Sequence, residues 1–221
     1  MQSNPEDELG AKDPLRQYYA AVKAQADRLA EAADYEQAQK CYDEAAVLAP
    51  DEPAPYVGLG IVYLQTGQLD KAEWAFRFAR RIRPACAEAY AGLAMVHQRR
   101  QAFPEAFETY LKCLELDSDN LVALLGLFQT SCQMGTFARI TQYLERYLRM
   151  HPDDTAVLFC LATLYARDGR LPAAREALVK VLKLEPDKAE AARLLEAIER
   201  RSAADPLEAA RHDGPLESAA G

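Results

Sequence analysis

The chain has 221 residues, half of them apolar, enough to bury the core of one domain or one repeat array. Its formal net charge of −8 disfavours non-specific attraction to nucleic acid or anionic membranes. The acidic first residues lack the basic start and apolar stretch of a signal peptide, and no apolar run is long enough to cross a bilayer. We therefore expect a cytoplasmic protein with no nucleic-acid partner and no inserted membrane segment.

The residues that usually carry chemistry form no recognisable constellation. The five cysteines are scattered and lack a C-x-x-C pair, which favours reduced thiols, and the three histidines are equally dispersed. Gly58 and Gly60 begin a G-x-G, but Tyr63 stands where a nucleotide-binding loop needs its third glycine. We therefore expect no metal, no cofactor and no enzymatic activity.

A period of 34 residues runs along the chain and predicts its elements in order. Pro50, Pro84, Pro152 and Pro186 are separated by 34, 68 and 34 residues, and the missing member falls at Ser118, within a helix-stop and N-cap signal. The period predicts one array over residues 14–201. It consists of five helical hairpins at about 19–52, 53–86, 87–120, 121–154 and 155–188.

The second hairpin shows the repeat pattern most completely. If Pro53 is position 1, apolar or small residues fall at positions 4, 7, 8 and 11 and again at 20, 24 and 27, which places one apolar stripe on each of two helices. Gly67, at position 15, permits the turn between them. These residues are Tyr56, Leu59, Gly60, Tyr63, Ala72, Phe76 and Ala79.

This pattern resembles the tetratricopeptide repeat (TPR) family. The resemblance implies an all-α fold, a right-handed α-solenoid whose hairpins stack to bury their apolar faces. The fourth hairpin departs from the pattern, with Phe128 at position 8 and Ile140 at position 20, so we expect it to be splayed or repacked. We expect a capping helix over about 187–201 and disordered ends at 1–13 and 202–221.

In the family, the first helix of each repeat lines a concave groove. Here the corresponding positions carry mainly apolar and amide side chains, with small residues recurring at position 6, so a wide apolar trough is expected. A carboxylate clamp is not matched, because Asp27 accompanies the one suitable lysine, Lys23. The expected ligand is an apolar or amphipathic helix; alternatively, the trough is narrow or holds the chain's own N-terminal segment. The predicted groove residues are Val57, Ile61, Leu64, Gln65, Met95, Gln98, Arg99, Val122, Leu125, Gln129, Gln133, Phe159, Thr163 and Arg167.

The opposite, convex face carries a second unusual feature. Trp74 and Phe78 occupy positions that the other repeats fill with charged or amide side chains, and they lie one turn apart on one helix beside Arg77 and Arg81. Aromatic residues with arginine are typical of a protein-interface hot spot. The alternatives are a flanking segment packed there or a patch for anionic lipid or nucleic acid, which the overall acidity disfavours.

These observations predict an adaptor or scaffold that binds a partner segment in the groove and another protein, or a second copy, at the convex patch. A secretion-type chaperone for a hydrophobic client is the alternative, since such chaperones are small, acidic TPR proteins. TPR scaffolds associated with bacterial magnetosomes are similar in size and helical array.

Overall fold

The computed structural model describes residues 14–137 and 139–204, and every regular element within them is an α-helix. The sequence predictions for 1–13 and 205–221 lie outside the described residues. No helix among the described residues has the length and apolarity that a membrane span requires. The helices are α1 (Pro14–Glu31), α2 (Tyr35–Leu48), α3 (Ala54–Gln65), α4 (Leu69–Ile82), α5 (Ala87–Arg99), α6 (Phe103–Leu116), α7 (Leu121–Met134), α8 (Thr141–Met150), α9 (Thr155–Arg167), α10 (Leu171–Leu184) and α11 (Ala189–Ala204).

The turn inside each hairpin has the same backbone geometry. All five position-15 residues have a positive φ, between 58° and 76°, and three of them are glycine. In the first and third hairpins this position is occupied by Ala33 (φ 58°) and Gln101 (φ 61°). The left-handed conformation is sterically unfavourable for both residues because they carry a Cβ. The left-handed turn is therefore a property of the repeat rather than of glycine alone.

The chain divides into two compact units, the first ending at Met134 and the second beginning at Gly135. In the first unit, α1 to α7 pack in chain order, and each hairpin closes around small residues such as Ala26, Ala38 and Ala72, all fully buried. The boundary falls within the predicted fourth repeat, at the turn that follows α7.

In the second unit, α11 packs on the last hairpin. Ala191 and Ile198 of α11 are buried in one cluster with Leu158, Leu178 and Val181. The helix extends from Ala189 to Ala204, so it begins two residues later and continues three residues further than the predicted span of 187–201. The residues 202–204 that were expected to be disordered therefore belong to this helix.

Candidate functional site

A cavity of about 910 Å³ lies between α5, α6 and α7, all in the first unit. Ligand pockets usually lie between about 300 and 1,000 Å³. Seven of the fourteen predicted groove residues line this α5–α7 cavity, together with Gln101, Phe103, Tyr110 and Gly126. The seven are Met95, Gln98, Arg99, Val122, Leu125, Gln129 and Gln133.

Tyr110 of α6 forms the floor of the cavity and holds its polar side chains in place. Its hydroxyl donates a hydrogen bond to Gln98 Oε1 at 2.7 Å, and Gln98 Nε2 donates to Gln129 Oε1 at 3.1 Å. The three residues thus connect α6, α5 and α7. Because Tyr110 is only 1% exposed, burial raises the pKa of its phenol, which keeps it a hydrogen-bond donor at neutral pH.

The glycines at position 6 make room for aromatic rings of the preceding repeat. A Cβ added at Gly126 would lie 2.2 Å from Tyr110 Cζ, and one at Gly58 would lie 2.3 Å from the Tyr42 ring. Each ring belongs to position 24 of the preceding repeat and fills the space that the missing side chain leaves. The small residues at this position therefore leave room for these rings.

The α5–α7 cavity is nearly uncharged. Its polar lining consists of four glutamines and the Tyr110 hydroxyl, and Arg99 is the one charged side chain among the described lining residues. The neighbouring Arg100 does not line the cavity. Its guanidinium pairs with Glu73 at 2.5 Å and with Asp70 at 2.6 Å. The cavity can therefore accept apolar and hydrogen-bonding groups and offers a single positive charge at its edge.

Two further predicted groove residues, Val57 and Ile61, line a separate cavity of about 230 Å³ in the first unit. Its wall includes Lys23 and Asp27, which form an ion pair at 2.7 Å, and Tyr42, whose hydroxyl donates to Asp27 Oδ1 at 2.8 Å. Both carboxylate oxygens of Asp27 are therefore engaged by neighbouring side chains. Ile61 is 44% exposed and forms its accessible apolar surface.

Two predictions at the end of α3 have different outcomes. Leu64 is only 1% exposed and packs with Phe76 and Val96 in the core, so its assignment to the groove is wrong. Leu64 faces inward because it lies where α3 packs against α4 and α5. Gln65 is exposed but lines neither cavity.

The predicted groove residues of α9 belong to the second unit. Phe159 is half-buried against the core of that unit, and Thr163 donates its hydroxyl to the Phe159 carbonyl at 2.9 Å. Arg167 is exposed, and its guanidinium lies 4.1 Å from the centroid of the Phe137 ring.

The predicted convex patch consists of Trp74, Arg77, Phe78 and Arg81 on α4, and Tyr56 of α3 packs against its rings. We call these five residues the Trp74 patch. The rings of Trp74 and Phe78 are stacked with centroids 5.4 Å apart, and Tyr56 lies 4.4 Å from Phe78. Arg81 covers the Phe78 ring at 4.5 Å, while Arg77 pairs with Glu73 at 2.6 Å. Trp74 is 56% exposed, so the stack presents an aromatic surface to solvent.

Sequence reasoning missed three cavity residues, Gln101, Phe103 and Tyr110. Tyr110 occupies position 24 of its repeat, which the pattern places in the core stripe. One signal could have identified it, since each repeat with an aromatic residue at position 24 is followed by glycine at position 6 of the next repeat. The pairs are Tyr42 with Gly58, Phe76 with Gly92 and Tyr110 with Gly126.

The chain is similar in sequence to several known proteins. The chain is 28% identical over 159 residues to the type IV pilus assembly protein PilF of Pseudomonas aeruginosa, covering 55% of this chain and 62% of that protein. It is 27% identical over 128 residues to the CTR9 homologue of Arabidopsis thaliana, covering 58% of this chain but only 12% of that protein. The chain therefore spans a minor part of some of its relatives.

Solved structures have the same fold. The structure of P. aeruginosa PilF aligns over 90% of both chains with a TM-score of 0.73 and 18% identity. The TPR protein YrrB aligns over 83% of this chain and 98% of its own, with a TM-score of 0.61 and 18% identity. The predicted fold class, an all-α TPR array of the α-solenoid type with a C-terminal capping helix, is confirmed.

Family models described as tetratricopeptide repeat match residues 23–77, 58–120 and 133–198. These segments cover most of the chain and consist mainly of the helices described above. The chain belongs to the tetratricopeptide repeat family.

Proposed function

We propose that this chain is a non-enzymatic cytoplasmic adaptor that binds an apolar or amphipathic helical segment of a partner protein in the α5–α7 cavity. The observation that carries the proposal is the cavity itself, which brings seven predicted groove residues together around about 910 Å³. Val122, 53% exposed, and Leu125 offer apolar contact, and the glutamines offer hydrogen bonds at the rim. An amphipathic helix matches this combination of apolar floor and polar edge.

The relatives support a role in protein interaction. PilF is a type IV pilus assembly protein, and the YrrB structure is described as having an unusual peptide-binding site. The TPR fold itself is a protein-interaction scaffold. The cytoplasmic placement is supported by the five scattered cysteines, which form no C-x-x-C pair and three of which are buried.

Replacing Ile61 and Leu125 by glutamate tests the groove. Both side chains contribute accessible apolar surface to a cavity, so a charge there should abolish binding of an apolar helical partner while the array stays folded. Val47→Glu is the matched control, because Val47 is 80% exposed and lines neither cavity. Loss of helix by circular dichroism in the double variant, or unchanged binding, would contradict the proposal.

A secretion-type chaperone is the second candidate, favoured by the acidic net charge of −8 and by the exposed apolar side chains of the cavity. A chaperone holds one unfolded client in stoichiometric amount, whereas an adaptor binds folded partners. Co-purification followed by limited proteolysis of the bound protein separates the two. A protease-resistant partner favours the adaptor, and a uniformly digested one favours the chaperone.

We also propose that the Trp74 patch forms a contact between copies of this chain. The exposed, stacked Trp74 and the arginine over Phe78 have the composition of an interface hot spot. Trp74→Ala with Phe78→Ala should abolish self-association in sedimentation velocity experiments. Val47→Glu serves again as the control, and identical sedimentation of the wild type and the aromatic double variant at high concentration would refute this contact.

A further inference from the structure

We propose that the α5–α7 cavity selects a partner helix that carries a carboxylate beside its apolar face, and that Arg99 binds this carboxylate. The inference rests on the proposed function of the cavity and adds to it the charge of the ligand. It follows from the distribution of charges around the C-terminal end of α5.

Arg99 and Arg100 are consecutive but have different surroundings. Arg100 is held by Asp70 at 2.6 Å and by Glu73 at 2.5 Å, and these hydrogen bonds raise its pKa. Arg99 lines the cavity, where the described lining includes no acidic side chain. The positive charge of Arg100 is therefore balanced within the fold, whereas the charge of Arg99 is directed to the ligand site without a balancing carboxylate there.

The chain as a whole is acidic, with 34 acidic and 26 basic residues. An acidic protein repels an acidic ligand at long range, but salt screens charges beyond about 10 Å. Close contact then depends on the local group, and arginine matches a carboxylate with two parallel hydrogen bonds. A carboxylate on the bound helix pairs with Arg99 at the cavity edge, while its apolar side chains contact Val122 and Leu125.

Apart from Arg99, the described cavity lining is uncharged, so the rest of the bound helix face should be uncharged too. Gln98 and Gln129 already use one another and Tyr110 as partners, which fixes them in the cavity. Their amides satisfy neutral polar groups but do not neutralise a second charge. A lysine placed at the same point of the ligand faces Arg99 and is repelled.

The test uses three synthetic amphipathic helices of about 16 residues, or about 24 Å. They share a leucine face and differ at one flanking position, which is Glu, Gln or Lys. Affinities for the full chain are measured by fluorescence anisotropy at low and high salt. Arg99→Glu reverses the cavity charge, and Arg28→Glu is the matched control, because Arg28 is exposed on α1 and lines no described cavity.

We expect the Glu peptide to bind the wild type about fivefold more tightly than the Gln peptide, and the Lys peptide to bind more weakly than both. Arg99→Glu should invert this order, Arg28→Glu should preserve it, and salt should reduce the differences. Equal binding of all three peptides, with Leu125→Glu abolishing it, would overturn the charge selection and leave the proposed function intact. No binding of any peptide to the wild type would overturn both.

Discussion

The Phe76 ring lies against Gly60 and Gly92, and this close packing predicts that alanine at Gly92 destabilises the fold. The ring is fully buried, and a Cβ added at Gly92 would lie 2.2 Å from Phe76 Cε1, while one added at Gly60 would lie 2.6 Å from the same atom. Real Cβ atoms essentially never approach another atom this closely, so a methyl group at Gly92 requires the ring to shift. Gly92→Ala should therefore overpack the core, although it replaces glycine inside helix α5.

The two effects oppose each other and can be weighed. Alanine stabilises a helix interior by about 1 kcal/mol relative to glycine, and overpacking a core costs about 1–3 kcal/mol. Gly92→Ala should thus destabilise the wild type by about 1 kcal/mol. In a Phe76→Leu background the ring is absent, so the same substitution should stabilise by up to about 1 kcal/mol, which corresponds to a coupling of about 2 kcal/mol.

Urea unfolding followed by circular dichroism measures the four members of this cycle. Ala24→Gly, at an exposed position inside α1, provides the intrinsic helix term on the same chain and should cost about 1 kcal/mol. If Gly92→Ala stabilised the wild type as much as it stabilised the Phe76→Leu variant, the ring would not limit the close approach. The explanation of the position-6 glycines would then be refuted.

Four further predictions follow from the described contacts. Stopping the chain at Pro186 exposes the core of the last hairpin and should cause cooperative loss of helix or aggregation, whereas deleting 205–221 should leave the melting temperature nearly unchanged; equal melting of both truncations would contradict the capping role. Trp74, the single tryptophan, should show red-shifted, quencher-accessible emission in the dilute monomer, and a blue-shifted maximum would mean that it is buried. Ala33→Gly should stabilise the chain by about 1 kcal/mol in thermal unfolding, because the backbone there is left-handed, and destabilisation would show that the turn is not strained. Burial and a hydrogen bond to Glu145 raise the pKa of Tyr165 to about 12, so its neutral form stabilises the fold fully below pH 10 and this contribution disappears between pH 10 and 12; Tyr165→Phe should reduce the fall in melting temperature over that interval, and an unchanged profile would exclude the contribution.

The repeat register was predictable because it is a property of local sequence. Signature residues such as Ala72 and Phe76 are buried where the 34-residue period places them, and the left-handed turn recurs at every position 15. Ala33 and Gln101 show that glycine alone would have located only three of these turns. Helix packing imposes the turn geometry even where the residue type disfavours it.

The groove was less predictable because its surface depends on contacts between repeats. Leu64 was assigned to the groove by position, but its exposure depends on how α3 meets α4 and α5. Tyr110 is buried, as its signature position 24 implies, but it also lines the cavity, next to Gly126 of the following repeat. Both features depend on contacts between successive helices or repeats, which the position of a residue within one repeat does not specify. The repeat pattern therefore predicts the helices better than it predicts the site.

Amide hydrogen exchange on addition of a purified partner tests the central proposal most directly, because it reports where that partner covers the chain. The cavity predicts slower exchange in the peptides that contain Ala87–Arg99 and Leu121–Met134, with no change in Leu171–Leu184. Leu125→Glu should remove this protection and Val47→Glu should retain it. Protection confined to helices outside the cavity, or equal protection in both variants, would contradict the assignment of the α5–α7 cavity as the partner-binding site.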